Sequence, residues 1–327
     1  MLLNSSLLDS LHFSVLTAIC VNAIRVVYLY DVRIGRWTPH RAGDMLDNLP
    51  AEILHLVARW LSERDTNALA RSSIRLWHVL DAYLYRRNVR LFDASSFHWA
   101  VENGRHLTAQ KGIDAGADVN RGKDGISDQL PLILAAKHRQ LPLMKLLLAT
   151  PGIHVNPRDS KGRTPLSWTA GMGCADHISL LLASDGIHAD AGDKGSRRPL
   201  WWAAALGRPA AVRLLLNSQQ VTVDATDSSG QTALVAAAAG LGDECDVGEC
   251  VQLLLAAGAR PDAKTIANRT PLSWAAGTGK LGVFKLVLVA MGHGRFETWT
   301  VQDWVTARER DEMVKLLLGG SGTSRIA

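Results

Sequence analysis

The stretch TPLSWTAGMGCADHISLLLAS, Thr164 to Ser184, returns as TPLSWAAGTGKLGVFKLVLVA, Thr270 to Ala290. Two segments this alike in one chain mark a repeat array. Working outward from them, copies begin at Ser95, Leu130, Thr164, Arg198, Thr232, Thr270 and Thr300, with successive spacings of 35, 34, 34, 34, 38 and 30 residues.

Each copy has the chemistry of a helical pair. Thr164 and Thr270 are suited to cap a helix, and Pro165, Pro199 and Pro271 then fall on the first helical position, where a missing N–H costs nothing. An alanine-rich helix follows, broken by glycine at 104, 173, 207 and 279. A second helix bears leucine triplets at 146–148, 180–182, 214–216, 253–255 and 316–318, and Gly116, Gly186 and Gly258 lie where it should end. Asp159 to Gly162 and Asp227 to Gly230 read as tight turns. The expected unit is helix, turn, helix and projecting hairpin.

This pattern resembles the ankyrin repeat over residues 95 to about 318. The resemblance implies an all-α solenoid of about seven repeats with short hairpin turns, followed by a flexible tail over 319–327. Copy five reads TALVAAA and has an insertion around Gly240 to Glu249, read as a loop. Copy seven, TVQDWVTARERDEMVKLLL, is more polar, as suits a terminal cap. The family's usual histidine four residues into the motif is His98 here, and Ser167, Trp201 and Ser273 take its place in other copies.

Two features of the array suggest how a substrate is held. The fifth position of the copies reads Trp99, Leu134, Trp168, Trp202, Ala236, Trp274 and Trp304, so five of the 10 tryptophans share one column. In the ankyrin family that column borders the groove where partners bind, and tryptophan is an effective interface anchor. Trp201, next to Trp202, adds a second ring. The turns are basic, with Arg121, Lys123, Lys161, Arg163, Lys194, Arg197, Arg198, Lys264 and Arg269. If aligned, they would attract an acidic or phosphorylated protein segment. The candidate substrate contacts are Trp168, Trp201, Trp202, Trp274, Lys161, Arg163, Arg197 and Arg269. The same column is also suited to packing between neighbouring repeats, and the same lysines to a solvated rim.

Upstream, Met45 to Arg90 predicts three short helices, with Ile53, Leu54, Val57, Trp60 and Leu61 on one apolar stripe, Asp65 as a cap, and Leu76, Trp77, Leu80, Tyr83 and Leu84 on the third helix. Leu49, Pro50, Glu52, Ile53, Leu54, Leu61, Asp65, Leu69, Trp77 and Leu80 follow the order of the F-box motif, which the stretch resembles. That resemblance implies docking on the small linker subunit of a cullin-RING ubiquitin ligase, through Leu49, Pro50, Ile53, Leu54, Leu61, Leu69 and Trp77. A unit of this size gains stability from a partner that covers its apolar stripe. The alternative is a helical cap for the repeat array.

The remaining sequence bounds the function. A chain of 327 residues with 47% hydrophobic and 20% charged residues has an ordinary globular composition, and a net charge of +5 without clustering on one element gives no nucleic-acid footprint. Cys20, Cys174, Cys245 and Cys250 form no disulfide framework and favour a reducing compartment, in the cytoplasm or the nucleus. Cys245 and Cys250 have no His or Cys partners, so neither a metal nor another cofactor is expected. No catalytic signature is found, and the chain is read as non-enzymatic. Residues 1–44 form an apolar extension. Within it, Leu11 to Tyr30 is apolar enough to raise a membrane helix, against which His12, Asn22 and Arg25 argue. Membrane tethering, an extra packed helix, and translation starting at Met45 are the three readings of this segment.

Overall fold

The computed structural model describes residues 51–60, 66–67, 70–71, 74–240 and 242–291. The N-terminal extension, the residues Leu49, Pro50, Leu61, Asp65 and Leu69, and the expected seventh copy with the tail lie outside the described residues. Regular structure among the described residues is helical throughout, with no strand. The chain divides into two units: residues up to 100 together with 107–118 in one, and 101–106 together with 119 onward in the other.

In the first unit, α1 (Ala51–Trp60) and α2 (Ile74–Leu91) enclose a core of Leu54, Ala58, Ala70, Leu76 and Leu80, with Val79, Tyr83 and Leu84 packed against it. Each buried leucine contributes about 2 kcal/mol. Polar groups fasten the helices. His55 stacks on Tyr83 and bonds through Nε2 to the Val79 carbonyl at 3.2 Å, and Arg87 Nη1 donates to the Ala58 carbonyl at 3.1 Å. Two further helices follow, α3 (Ser95–Glu102) and α4 (His106–Asp114). Buried Asn88 on α2 takes over the start of α3: its Oδ1 accepts from the Ser96 N–H at 2.9 Å, and its Nδ2 donates to Ser95 Oγ at 2.9 Å.

The second unit is a stack of helical pairs. These are α5 (Pro131–Lys137) with α6 (Leu141–Leu148), α7 (Pro165–Met172) with α8 (Ala175–Leu182), and α9 (Pro199–Ala205) with α10 (Pro209–Asn217). Then come α11 (Ala233–Ala239) with α12 (Glu244–Ala256), and α13 (Pro271–Thr278) with α14 (Leu281–Ala290). First helices pack on first helices and second on second. The sequence explains the layering. First helices made of small residues, such as Ala203, Ala204 and Ala233 to Ala238, are buried nearly all round, whereas second helices bury one stripe, such as Val212 and Leu215 or Val283, Phe284 and Val287.

The expected caps at Thr164 and Thr270 are in place, and Thr232 supplies a third. Thr164, Thr232 and Thr270 accept from the backbone N–H of Ser167, Val235 and Ser273, and Thr270 with Ser273 closes a reciprocal capping box. Arg198 and Leu130 start their helices without a side-chain cap.

One expectation needs correction. The copy-five insertion is not a loop: it lengthens the second helix, so α12 has 13 residues against 8 in α8. The apolar spacing of Val247, Cys250, Val251 and Leu254 continues the buried stripe and holds the extra turn in helix. The projections are tight turns, as expected, and do not pair as strands. Each is a closed turn, and neighbouring turns share one backbone bond: Lys194 N to Lys161 O, Ser228 N to Gly195 O, and Ile266 N to Ser229 O, at 2.9–3.1 Å. A single bond per neighbour is too little for a ladder.

Candidate functional site

The turns and the tryptophan column, separate features in the sequence, form one structure. In the turn at 159–163, Asp159 is buried. Its Oδ1 accepts from the N–H groups of Lys161 and Arg163 at 2.9 and 2.8 Å, and its Oδ2 accepts from Arg163 Nε at 2.9 Å and from the Trp168 indole at 3.1 Å. The Arg163 guanidinium lies 3.7 Å over the Trp168 ring, and Lys137 approaches the same ring at 5.6 Å. A carboxylate, a guanidinium and an indole thus lock one another in place.

The next copy repeats the carboxylate and guanidinium with a second ring, but neither indole N–H reaches the aspartate. Asp193 Oδ1 accepts from the N–H groups of Gly195 and Arg197, and Oδ2 lies 3.2 Å from Arg197 Nε. The Arg197 guanidinium sits 4.6 Å over Trp202 and 5.5 Å from Trp201, whose rings meet edge to face at 5.1 Å. In copy six, Thr265 replaces the aspartate, accepting from the Arg269 N–H at 3.1 Å, and Arg269 lies 4.7 Å over Trp274. Copy five keeps the turn, with Asp227 accepting from the N–H groups of Ser229 and Gln231, but Gln231 and Ala236 supply neither cation nor ring.

This geometry places the expected substrate residues. Trp168, Trp201, Trp202 and Trp274 are half-buried, each with an arginine against a face. Arg163 and Arg197 are paired to aspartates in their own turns, and Arg198 pairs with Asp190. Lys161 and Lys194 remain exposed, on turns joined by the Lys194 N to Lys161 O bond. The solvent-facing charge along the turns is therefore chiefly lysine. Of the expected linker contacts, Leu54 is fully enclosed in the first unit's core, while Trp77 is 40% exposed and Ile74, one turn earlier on α2, is 81% exposed.

A ladder of short polar side chains between successive copies was not read from the sequence. Asn120 donates to the Gly152 carbonyl and accepts from the His154 N–H, and Asn156 does the same with Gly186 and His188, at 2.7–2.9 Å. Asp190 and Asp224 then accept from the N–H groups of Thr222 and Arg260. Their spacings of 36, 34 and 34 match the repeat and were the available signal.

The two cysteines considered for metal binding do not converge. Cys245 is exposed on α12 and Cys250 is buried, where desolvation and then the nearby Asp246 and Glu249 push its thiol up to about 12. Among the described residues no group of three or more metal-ligating side chains occurs. No described helix is long and apolar enough to cross a membrane.

Helical pairs stacked at a spacing near 34 residues, joined by closed turns and by side-chain ladders between copies, define a repeat solenoid. The family model for ankyrin repeats matches residues 97–193 and 187–265, and the chain belongs to that family. Among solved structures, an ankyrin repeat domain from Acinetobacter baumannii AYE shares the fold, with a TM-score of 0.54 and 24% identity, covering 60% of this chain and 97% of that one. No curated protein matches the sequence.

Proposed function

We propose that this chain is a non-catalytic substrate-recognition adaptor of an SCF-type cullin-RING ubiquitin ligase. Ankyrin repeats are protein-interaction scaffolds, and the function of such a scaffold is to hold a partner in place. In this reading the F-box stretch holds the ligase's linker subunit, the repeats hold a protein substrate, and the complex resides in the cytoplasm or the nucleus. Ubiquitin transfer is performed elsewhere in the assembly. The chain contributes proximity, raising the local concentration of target lysines.

The observation that carries the reading is α2, which closes the small core with Leu76 and Leu80 while leaving Trp77 and Ile74 outside it. A small helical unit with large apolar side chains in water has the form of a docking surface. On the substrate side, the exposed Lys161 and Lys194 beside arginine-backed tryptophans suit an acidic or phosphorylated segment. The test is retention of the purified linker subunit by the full chain, with Trp77→Ala and Ile74→Asp as variants. Retention lost in the variants, at an unchanged helix content, supports the adaptor. No retention by the natural chain overturns it and leaves an ankyrin scaffold without a ligase role.

A further inference from the structure

The joint between the turns of copies two and three differs from those that follow. In later joints the N–H one residue after the turn's first position donates to a backbone carbonyl of the preceding turn, as Lys194, Ser228 and Ile266 do. Ser160 is the equivalent donor in copy three. The preceding segment is coiled into two short 3-10 turns, Lys123–Gly125 and Ser127–Gln129, and the acceptor is instead the Asp128 carboxylate. It takes the Ser160 N–H on Oδ1 at 2.5 Å and the Ser160 hydroxyl on Oδ2 at 2.8 Å. This joint is closed by a hydroxyl and a carboxylate, both exposed.

We propose that Ser160 is a phosphorylation site for a kinase that recognises basic sequences, and that its modification opens the joint between copies two and three. The segment reads Arg158-Asp159-Ser160-Lys161-Gly162-Arg163, with exposed cationic side chains at −2 and +1, while Arg163 at +3 is engaged with Asp159 and Trp168. The intervening Asp159 presents no charge outward, because it is buried beneath its own turn. In the reaction a bond forms between Ser160 Oγ and the γ-phosphorus of ATP. The bond from that phosphorus to the β–γ bridging oxygen breaks, ADP leaves with that oxygen, and the hydroxyl proton passes to the kinase's base.

The consequence follows from what the hydroxyl was doing. Phosphorylation removes the O–H donor to Asp128 and puts close to two negative charges where a carboxylate already stands. Repulsion then opposes the N–H bond as well, since both contacts converge on one carboxylate. Lys137 and Arg163 already stabilise the Asp128 anion through space, and Lys137 also lies over Trp168. A phosphate at Ser160 competes for that lysine. The modification therefore reaches the tryptophan column as well as the joint.

The experiment treats the full chain with ATP and the catalytic subunit of cyclic-AMP-dependent protein kinase, with a peptide spanning His154 to Ser167 as the recognition control. Mass spectrometry locates the phosphate, and hydrogen exchange follows the Ser160 amide. The expected result is incorporation at Ser160 that is absent from a folded Ser160→Ala chain, together with at least tenfold faster exchange at this turn. Asp128→Ala, left unphosphorylated, should show the same acceleration. Failure of the chain to take up phosphate at Ser160, whether or not the peptide does, overturns the site. Incorporation with unchanged exchange overturns the opening of the joint. Neither readout depends on the linker subunit, so the result stands apart from that of the adaptor test.

Discussion

The Trp168 indole donates to Asp159 Oδ2 at 3.1 Å, so a residue from the tryptophan column is tied to a carboxylate in the turn nine positions earlier. The ring is thereby held at one edge by a hydrogen bond and on one face by Arg163. It serves the frame before it serves any partner. Asp159→Ala should lower stability by about 2–3 kcal/mol, because two backbone N–H groups, the indole and the guanidinium all lose an acceptor. Asp227→Ala, where only two backbone N–H groups are held, should cost about 1 kcal/mol. Urea unfolding of the two variants side by side measures the difference.

Thiol chemistry separates the two cysteines of α12. With its thiol pushed up to about 12, Cys250 stays protonated at pH 8, whereas Cys245 is exposed. Iodoacetamide at pH 8 should label Cys245 and spare Cys250 until urea unfolds the repeats, as read by mass spectrometry of the digested chain.

The reciprocal cap at α13 predicts a graded series. Thr270→Ala should cost about 1 kcal/mol, and Thr270→Ser far less, since serine keeps the hydroxyl that accepts from the Ser273 N–H. Thermal unfolding of both variants decides it.

Gly240 is needed for a close approach, since a Cβ there would meet the Ala205 carbonyl of the preceding copy. Gly240→Ala should destabilise by about 1–3 kcal/mol through overpacking. Gly258→Ala, whose Cβ has nothing within 4 Å, should cost only the strain of its φ of +88°. The pair distinguishes crowding from backbone conformation, again by urea midpoint.

Asp128 gives a pH signature. The Ser160 N–H and hydroxyl, in that order, hold its carboxyl below the ordinary 3.8. A depressed carboxyl adds stability that is present above the unfolded value and is lost as pH falls through the folded one. An NMR titration should show the Ser160 amide shifting with a midpoint below 3.8, and Asp128→Asn should abolish that shift.

The repeat frame was legible because its signals are local. The start residues Leu130, Thr164, Arg198, Thr232 and Thr270 are the observed N-caps, since a proline or a threonine defines a helix start wherever the chain places it. The lengthened α12 was harder to see, because glycine at 240, 242 and 248 reads as loop until Val247 and Cys250 are known to face the core. The column of tryptophans was visible, but its coupling to the basic turns was not. Arg163 and Trp168 are both conspicuous in sequence, yet only the buried Asp159 between them shows that each is already engaged. At the other end of the described chain, Trp77 was named by apolar spacing as well as by motif order, and spacing did not foretell that it stays 40% exposed while Leu76 and Leu80 fill the core.

The sparse hydrogen bonding that joins each turn to the next has a mechanical consequence. Helix layers resist displacement over many contacts at once, whereas the turns resist it through one backbone bond per later step and a few side-chain bonds. The stack is therefore anisotropic in stiffness. Splaying along the fingertip edge ruptures isolated bonds one after another, like the teeth of a zip, while the same displacement along the second helices must part whole apolar stripes together.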